Sequence, residues 1–280
     1  MSPEIADRLI DIVRNAARIE ILPHFRNLAA GSIEAKTDPS DLVTIADRAA
    51  EARITREVAS LLPQAMIIGE EAVSANPALL QGLATAELAV LVDPIDGTWN
   101  FVSGSSLFGV ILAVVEGGRT TFGLLYDPVN DGWVTAHAGE GAFRFDREGR
   151  RERLRIHPEE MRSAAFMPLG QFDPQTQRAL FSRFTDVARL SSLYCSCHEY
   201  WLLAHGAADF GVSAMLNPWD HAAGELIIRE AGGHAAMLDG SPYRPGISQG
   251  NNLLVARSPA LWKTVRDQLA EALFHAECPQ

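Results

Sequence analysis

The sequence predicts an α+β first half and an α/β second half, with residues 1–150 and 151–280 as two subdomains. Two observations carry this prediction. Between residues 107 and 145, four strand-like runs are separated by short links rich in Gly, Asp and Asn, a pattern typical of antiparallel hairpins. After the charged stretch 146–155, strand-like and helix-like segments alternate, which indicates a mixed sheet covered by helices.

The first half is predicted to contain two helices, a short strand and an antiparallel meander. Ser2 can cap the first helix and Pro3 suits its first turn, after which apolar residues recur on one face. The second helix runs from near Asp47 to Leu62. The predicted strands are, in order, Met66–Ile68, Leu107–Val115, Thr120–Tyr126, Trp133–His137 and Ala142–Phe145.

The second half is predicted to alternate strands with longer helices. The helix before Gly232-Gly233 is the most strongly marked, because a glycine pair commonly closes a helix. The predicted elements are a strand over Ala164–Leu169, helices over Pro174–Thr185, His198–His205 and Trp219–Ala231, a strand over Leu253–Ala256 and a helix over Pro259–Phe274.

Composition narrows the class of protein. The 24 Lys and Arg against 35 Asp and Glu give a net charge of −11, which argues against nonspecific nucleic-acid binding. No apolar run reaches membrane-spanning length, and the N-terminus does not resemble a signal peptide, so we expect no membrane partner. Three cysteines, Cys195, Cys197 and Cys278, form no CxxC pair, which suits the reducing cytoplasm.

The segment 93–98, Asp-Pro-Ile-Asp-Gly-Thr, carries the strongest chemical signal. It follows the apolar run 89–92 and could be a plain turn, since Asp-Pro and Asp-Gly are both turn dipeptides. Alternatively, Asp93, Asp96 and the Ile95 carbonyl offer the oxygen ligands that Mg²⁺ and Mn²⁺ prefer. Gly97 would let a phosphate approach the backbone, and Thr98 is placed to orient a water molecule.

Three further carboxylate sites compete with the plain-turn interpretation. Glu70 directly follows a predicted strand, Asp47 begins a predicted helix, and Asp220 falls in the first turn of another. If these side chains converge on the 93–98 segment, they can hold two divalent ions about 3.5–4 Å apart. Phosphate-ester hydrolysis is the reaction that most needs such a centre, because its barrier is largely one of charge.

These residues give the chain a family resemblance. It resembles the inositol monophosphatase family of Mg²⁺-dependent, lithium-sensitive phosphatases, and the matching motifs occur in the family's order across nearly the whole chain. They are Asp41-Leu42-Val43-Thr44 with Asp47, Ile68-Gly69-Glu70-Glu71, the 93–98 segment leading to Asn100-Phe101, and Trp219-Asp220 with Ala222-Ala223-Gly224 and Glu230-Ala231-Gly232-Gly233.

The resemblance implies a role for each matching residue. Glu70, Asp93 and the Ile95 carbonyl would hold one Mg²⁺, and Asp93, Asp96 and Asp220 would hold a second. Thr98, hydrogen-bonded to Asp47, would position and help deprotonate the attacking water, with Glu70 assisting. Amides around Gly97 and Thr98 would bind the phosphate, and attack would be in line without a phosphoenzyme. The implied substrate contacts are Ile95, Asp96, Gly97, Thr98, Tyr194, Cys195, Ser196, Ser213 and Asp220.

The resemblance also implies the architecture and the partners. We expect a layered α-β-α-β-α sandwich whose first subdomain carries most metal ligands, while the second carries Asp220 and the pocket for the alcohol portion of the substrate. We further expect two or three Mg²⁺ ions, with Mn²⁺ as a substitute, and a homodimer that hydrolyses a small phosphorylated polyol, sugar or related metabolite.

The residues expected around the substrate alcohol depart from the family pattern. Tyr194-Cys195-Ser196 stand where the family usually has Gly-Ser-Ala or Gly-Thr-Ala. Ser213 stands where inositol-selective members carry an acid, and Ser103 and Ser106 replace a usual histidine and proline. The metal centre is therefore complete in sequence, while the alcohol-recognition residues differ.

Several alternatives follow from these departures. Within the family, the substrate could be fructose bisphosphate, histidinol phosphate or adenosine 3′,5′-bisphosphate.

A haloacid-dehalogenase-type phosphatase would use an aspartate nucleophile in a D-x-D motif, but Asp93 and Asp96 are three residues apart. A regulatory or binding protein could also retain the metal site. A zinc-protease reading of His198-Glu199 fails because position 202 is Leu202.

Overall fold

The computed structural model describes residues 1–29, 31, 33–35, 42–247 and 252–277, so Asp41 and Cys278 lie outside the described residues. Eight α-helices and fourteen strands are present in the described part of the chain. The helices are α1 Pro3–Ala16, α2 Ile45–Leu61, α3 Glu70–Ala75, α4 Thr98–Val102, α5 Pro174–Arg183, α6 Ser196–Ala204, α7 Pro218–Glu230 and α8 Pro259–Glu277. Within the described part of the chain, no helix combines the length and apolar character needed to cross a membrane.

The strands form two large sheets and one small hairpin. The strands are β1 Ile33–Ala35, β2 Leu42–Thr44, β3 Met66–Gly69, β4 Leu88–Asp96, β5 Gly109–Glu116, β6 Arg119–Asp127, β7 Gly132–His137, β8 Gly141–Phe145, β9 Arg151–Arg153, β10 Ala164–Phe166, β11 Arg189–Ser191, β12 Phe210–Ser213, β13 His234–Met237 and β14 Leu253–Ala256. The hairpin joins β1 to β2.

The first sheet has the order β3-β4-β5-β6-β7-β8-β9. All neighbours from β4 to β9 are antiparallel, which confirms the predicted meander. Only β3 runs parallel to β4, because α3 and a 3₁₀ segment over Pro77–Thr85 supply the crossover that a parallel pair needs.

Alternating side chains of the first sheet pack into two different cores. On β5, Val110, Leu112 and Val114 pack with residues of α1 and α2 on one face. Ile111, Ala113 and Val115 point to the opposite face and pack with residues of α6 and α7. Because both faces are covered by helices, β5 is apolar along nearly its whole length instead of alternating with polar residues.

The second sheet lies beyond α6 and α7 and has the order β11-β10-β12-β14-β13. Its outer face packs against α5 and α8 in a third apolar cluster. The helices α6 and α7 therefore contact both sheets, and the layers run helix, sheet, helix, sheet, helix. This arrangement confirms the layered sandwich that the sequence predicts.

Small residues on α7 allow the middle helical layer to pack closely. A Cβ placed on Gly224 would come within 2.1 Å of the Tyr200 ring carbon Cγ on α6. Ala222 and Ala223 are fully buried. The short side chains bring α7 against the first sheet, and this packing sets where the first turn of α7 lies relative to the end of β4.

Several observed elements differ from the predicted segments, and the short elements α3, α4, β11, β12 and β13 were not predicted. The strand predicted over Ala164–Leu169 ends at Phe166, because Pro168 has no N–H to donate to a ladder. The charged stretch 146–155 contains β9, which pairs with β8 and extends the first sheet. A subdomain boundary near residue 150 stays a prediction.

Candidate active site

The two acidic residues of the 93–98 segment lie at the carboxyl end of β4, where the strand is bulged. Asp93 pairs with Ile111 and Asp96 pairs with Gly109, so the β4 side of the ladder holds one extra residue. Pro94, which cannot donate a ladder hydrogen bond, lies inside this bulge. Both carboxylates are nearly buried, at 2% exposed for Asp93 and 8% for Asp96.

Glu70 is brought to the same edge of the sheet by the parallel pairing of β3 with β4. Gly69, the last residue of β3, pairs with Val92, so Glu70 follows it at the level of Asp93. The first turn of α3 is held by Glu51 of α2, whose carboxylate accepts hydrogen bonds from the amides of Glu71 at 2.7 Å and Ala72 at 2.8 Å. Glu51 was not among the predicted site residues, although it lies four residues after Asp47 and hence on the same helix face.

Asp47 links the start of α2 to the start of α4. Its Oδ2 accepts hydrogen bonds from the Thr44 amide at 2.8 Å and from the Thr44 hydroxyl at 2.5 Å, which completes a capping box. The Thr98 hydroxyl lies 3.3 Å from Asp47 Oδ1 and 3.0 Å from the Ile95 carbonyl oxygen. Asp47 is fully buried, whereas Thr98 is partly exposed, so the carboxylate is shielded from solvent behind the hydroxyl.

Gly97 makes the turn between Asp96 and Thr98 geometrically feasible. Its φ of +85° lies in the left-handed region, which side chains disfavour. A Cβ at this position would also meet the Leu107 carbonyl oxygen at 3.0 Å and the Tyr194 carbonyl oxygen at 3.2 Å. Glycine is therefore required here by the backbone conformation and by the close approach of two other segments.

Asp220 joins the cluster from the other half of the chain. It lies in the first turn of α7, which Asn217 precedes, and Asn217 Nδ2 donates a hydrogen bond to Asp220 Oδ2 at 3.1 Å. Burial and then the negative charges of Asp96 and Glu70 raise the pKa of Asp220 well above its usual range, and hydrogen bonds with Asn217 and Asp93 only partly oppose this shift. Two carboxyl groups in such contact share a proton when no cation is present.

Asp93 is the most strongly perturbed member of the cluster. Burial raises its pKa well above the usual range, and the negative charges of Glu70, Asp96 and Asp220 raise it further. Asp93 Oδ1 is buried without a hydrogen-bond partner among the described residues. An unpartnered carboxylate oxygen facing three other acids is an unfavourable arrangement that a bound cation would reverse.

Asp96 is tied to the start of α6 by three hydrogen bonds. Its oxygens accept from the Ser196 amide at 3.1 Å, the Cys197 amide at 2.5 Å and the Cys195 thiol at 3.0 Å. These bonds oppose the effect of burial, which raises the pKa of Asp96. Since each carboxylate oxygen has two lone pairs, Asp96 can cap α6 and still offer a lone pair to a cation.

Five helices begin around these carboxylates. The contacts already described connect the first turns of α2, α3, α4, α6 and α7, which carry Asp47, Glu70, Thr98, Ser196 and Asp220 respectively. Helix N-termini carry partial positive charge and unpaired amides, so they favour anions such as carboxylates and phosphate. The acids in these first turns therefore occupy positions where ionisation is least unfavourable.

The oxygen donors suit a hard divalent cation. Carboxylates and a backbone carbonyl match the ligand preference of Mg²⁺ and Mn²⁺, and the unpartnered Asp93 oxygen marks where such an ion is needed. Among the residues that the structure describes, no group of three or more His, Cys, Asp or Glu side chains has an arrangement that could hold a metal ion. Glu70, Asp93, Asp96 and Asp220 lie near one another as a cluster of acids, in which Asp96 is hydrogen-bonded to the start of α6, and their role as metal ligands stays a prediction.

The residues predicted to contact the substrate alcohol have different surroundings in the structure. Tyr194 is 67% exposed, whereas Cys195 is buried against Asp96. Ser196 and Ser213 line one small cleft together with Glu199 and Tyr200. A hydrogen bond connects Ser213 to Tyr200, whose hydroxyl lies 3.1 Å from His221 Nδ1.

The histidines near the site have structural partners. His198 Nε2 lies 3.1 Å from the Phe108 carbonyl oxygen, and His205 Nδ1 lies 2.8 Å from the Trp201 carbonyl oxygen. Burial lowers the pKa of His221 to about 4, so this side chain is neutral at pH 7. His198 and His205 therefore each contact a different backbone carbonyl oxygen.

Comparison with known proteins identifies the family. The sequence profile described as the inositol monophosphatase family matches residues 4–274. The chain is 27% identical to an inositol-1-monophosphatase of Bacillus subtilis over 241 residues, covering 86% of this chain and 88% of that protein. It is 32% identical to the Nus factor SuhB of Escherichia coli K12 over 251 residues, covering 84% and 86%. A solved structure of a Thermotoga maritima IMPase superimposes with a TM-score of 0.80 at 25% identity, covering 98% of this chain and 99% of the other. The chain therefore belongs to the inositol monophosphatase family, a family of metal-dependent phosphomonoesterases.

Proposed function

We propose that this protein is a Mg²⁺-dependent phosphatase that hydrolyses a small phosphorylated metabolite by in-line attack of water. The observation that carries the proposal is the convergence of Glu70, Asp93, Asp96 and Asp220 beside the Thr98–Asp47 pair. Family membership supports the reaction class. The reaction converts a phosphomonoester and water into an alcohol and inorganic phosphate.

The metal would be held by the acids that come together at the carboxyl end of β4. Glu70, Asp93 and the Ile95 carbonyl would hold one ion, and Asp93, Asp96 and Asp220 a second. The unpartnered Asp93 oxygen and the raised pKa of Asp93 support this assignment. When bound, the ions supply positive charge that neutralises the phosphate oxygens and the departing alcohol oxygen. Mn²⁺ has the same ligand preference and is proposed as a substitute.

The remaining chemistry is assigned to this chain's own side chains. Thr98 orients the attacking water and passes a proton toward Asp47, and Glu70 assists in holding that water. A new bond forms from the water oxygen to phosphorus while the ester P–O bond on the opposite side breaks. The departing alcohol oxygen then takes up a proton, which balances the proton that water gave up. Amides of Gly97 and Thr98 hold the phosphate, aided by the N-termini of the surrounding helices.

The decisive experiment measures inorganic phosphate released from a panel of phosphomonoesters with Mg²⁺, with Mn²⁺ and with excess EDTA. The panel includes inositol monophosphate, fructose bisphosphate, histidinol phosphate and adenosine 3′,5′-bisphosphate. We expect turnover that requires the divalent ion and is lost in Asp93→Asn. Asp11→Asn is the matched control, because Asp11 is an exposed carboxylate on α1. A lack of hydrolysis with every substrate and ion would favour a regulatory protein that retains the metal site.

The assembly and location are proposed on the resemblance alone. We expect a homodimer, which light scattering of the purified protein tests directly. We expect a cytoplasmic protein, for which the low cysteine count of three is the supporting observation. Fractionation of cells carrying the tagged protein tests this location.

A further inference from the structure

Two large aromatic side chains, Trp99 and Tyr194, stand exposed next to each other. Trp99 is 51% exposed and Tyr194 is 67% exposed. Their ring centroids lie 6.1 Å apart, with an angle of 46° between the ring planes. Exposed aromatic pairs leave much apolar surface in water, so a pair that persists in a folded protein commonly meets a ligand.

The pair lies beside the carboxylate cluster. Trp99 directly follows Thr98 on α4, and Tyr194 directly precedes Cys195, whose thiol bonds to Asp96. The Tyr194 carbonyl oxygen also approaches Gly97 so closely that a Cβ there would lie 3.2 Å away. Both rings therefore emerge from backbone that borders the turn proposed to hold the phosphate.

The backbone that carries Tyr194 is firmly anchored even though its ring is exposed. Asn100 Nδ2 donates to the Leu193 carbonyl at 2.7 Å and to the Tyr194 carbonyl at 3.4 Å. Glu199 accepts from the Leu193 amide at 2.7 Å, and Ser192 Oγ accepts from the Tyr194 amide at 3.2 Å. These bonds fix both sides of the residue that presents the ring.

Tyr194 also adopts an unfavourable backbone conformation. Its φ of +52° lies in the left-handed region, which a bulky residue rarely occupies. Surrounding hydrogen bonds hold it there, and such strained residues cluster at ligand sites. Both observations indicate that the backbone from which this ring projects is held in one conformation at the edge of the site.

Two further exposed apolar side chains are adjacent in sequence or by hydrogen bond to residues of the site. Ile45 is 54% exposed and follows Thr44, the capping partner of Asp47. Met215 is 56% exposed. Its carbonyl oxygen lies 2.7 Å from Nε2 of His221, which is in the first part of α7. The hydroxyl-bearing residue Ser213 interacts with Tyr200. The side chains of Ile45 and Met215 are apolar and provide no strong hydrogen-bonding group for a polyol.

We propose that Trp99 and Tyr194 form an aromatic platform that selects phosphomonoesters whose alcohol portion carries a flat aromatic ring. This proposal rests on the phosphatase function proposed above and names its substrate class. Because a third ring between two others needs about 7 Å, the 6.1 Å separation leaves no room for insertion. The ligand ring therefore packs on the solvent-exposed side of the pair, in contact with both rings, while its phosphate reaches the 93–98 turn.

The test compares two substrates that differ only in aromaticity. Benzyl phosphate and cyclohexylmethyl phosphate both release a primary alcohol of similar size, and myo-inositol 1-phosphate serves as the polyol reference. We expect kcat/KM for the benzyl ester to exceed that for the cyclohexylmethyl ester by about tenfold. Trp99→Ala and Tyr194→Ala should each bring this ratio toward one, whereas Trp99→Phe should preserve most of it.

Phe181→Ala is the matched control for removing an exposed ring. Phe181 is 61% exposed on α5, which packs with α8 on the outer face of the second sheet, away from the carboxylates. Equal kcat/KM for the two esters would overturn the platform and leave the phosphatase function intact. The platform would also be overturned if kcat/KM were higher for myo-inositol 1-phosphate than for benzyl phosphate and if Trp99→Ala lowered this preference. The rings would then pack against a polyol.

A binding measurement keeps the two proposals separable. Benzylphosphonate and cyclohexylmethylphosphonate are not hydrolysed, and their affinities for the Mg²⁺-loaded protein are measured by calorimetry. If no ester is hydrolysed but benzylphosphonate binds about tenfold more tightly and loses this advantage in Tyr194→Ala, the phosphatase function fails while the platform stands. Equal affinities, or binding of neither compound, overturn the platform whatever the activity.

Discussion

Thr98 Oγ1 lies 3.3 Å from Asp47 Oδ1, but it also lies 3.0 Å from the Ile95 carbonyl oxygen. A hydroxyl carries a single hydrogen, so these two acceptors compete for it. Asp47 is held in place from its other side by Thr44, which leaves Oδ1 directed at Thr98. The arrangement positions a hydroxyl whose hydrogen can move to a buried carboxylate.

Thr98→Ala should lower kcat by about 10²-fold or more, because the water would lose the group that orients it and relays its proton. Thr98→Ser keeps the hydroxyl and should retain most of kcat. Both variants should have nearly unchanged KM, since the phosphate is held by backbone amides. Steady-state phosphate release measures all three proteins. Normal turnover in Thr98→Ala would place the residue in a structural role.

Asp93→Asn should abolish activity and, at the same time, remove the effect of Mg²⁺ on stability. In the metal-free protein, the change removes one acid from a cluster in which Glu70, Asp96 and Asp220 repel it. The metal-free variant should therefore unfold at the same temperature as the metal-free wild type or about 3 °C higher.

Differential scanning calorimetry with and without Mg²⁺ checks the second half of this prediction. Wild type should gain about 2.7 kcal/mol at an ion concentration of about 100 times Kd. Asp93→Asn should gain nearly nothing, and the exposed control Asp11→Asn should respond as the wild type does. An equal response from Asp93→Asn would remove Asp93 from the set of metal ligands.

Glu51→Gln should destabilise the protein by about 1–3 kcal/mol, because the two α3 amides bond to different carboxylate oxygens and the change replaces one of these acceptors with an NH2 donor. The affinity for Mg²⁺ should also fall, since α3 carries Glu70. Glu57→Gln is the control on the same helix; its surface ion pair with Arg53 should contribute less than about 1 kcal/mol. Urea unfolding gives the stability, and metal titration followed by calorimetry gives the affinity.

Glu199 should make stability depend on pH near neutrality. Burial raises its pKa to about 7, while its bonds with Leu193 and Ser192 act in the opposite direction. Because the folded pKa exceeds the unfolded one, the stabilising contribution is complete below about pH 4.5 and is lost as pH rises through about 7. Glu199→Gln cannot ionise, so its stability should not contain this loss.

The measurement is urea unfolding of both metal-free proteins at pH 4.5, 6, 7 and 8. Other acids contribute to the pH dependence of both proteins, so the difference between them isolates Glu199. Between pH 4.5 and 8 the wild type should lose about 3 kcal/mol relative to Glu199→Gln. Parallel curves for the two proteins would mean that Glu199 ionises as an exposed carboxyl does.

Local signals in the sequence were sufficient for the main elements, whereas the convergence of the acids was implied by the family resemblance and not by a local pattern. The meander was predictable because its turns carry Gly, Asp and Asn, and α1 because Ser2 caps an apolar face. The parallel pairing of β3 with β4 was not predictable, because it depends on a crossover connection and not on a local pattern. For the same reason the roles of Glu51 and of the Trp99–Tyr194 pair were not predicted, because the contacting residues lie 20 or more positions apart in the sequence.

Tyr194→Gly should separate backbone strain from the aromatic contact. Tyr194 has a φ of +52°, and glycine adopts this conformation without the clash of a Cβ. Tyr194→Ala removes the same ring but keeps the strain. We therefore expect Tyr194→Gly to be more stable to urea than Tyr194→Ala by about 1 kcal/mol. Both variants should lose the preference for benzyl phosphate equally, because neither has a ring to pair with Trp99. If the glycine variant were the less stable one, the left-handed conformation of Tyr194 would not be a source of strain, and the argument that the chain holds this ring against a conformational penalty would fail.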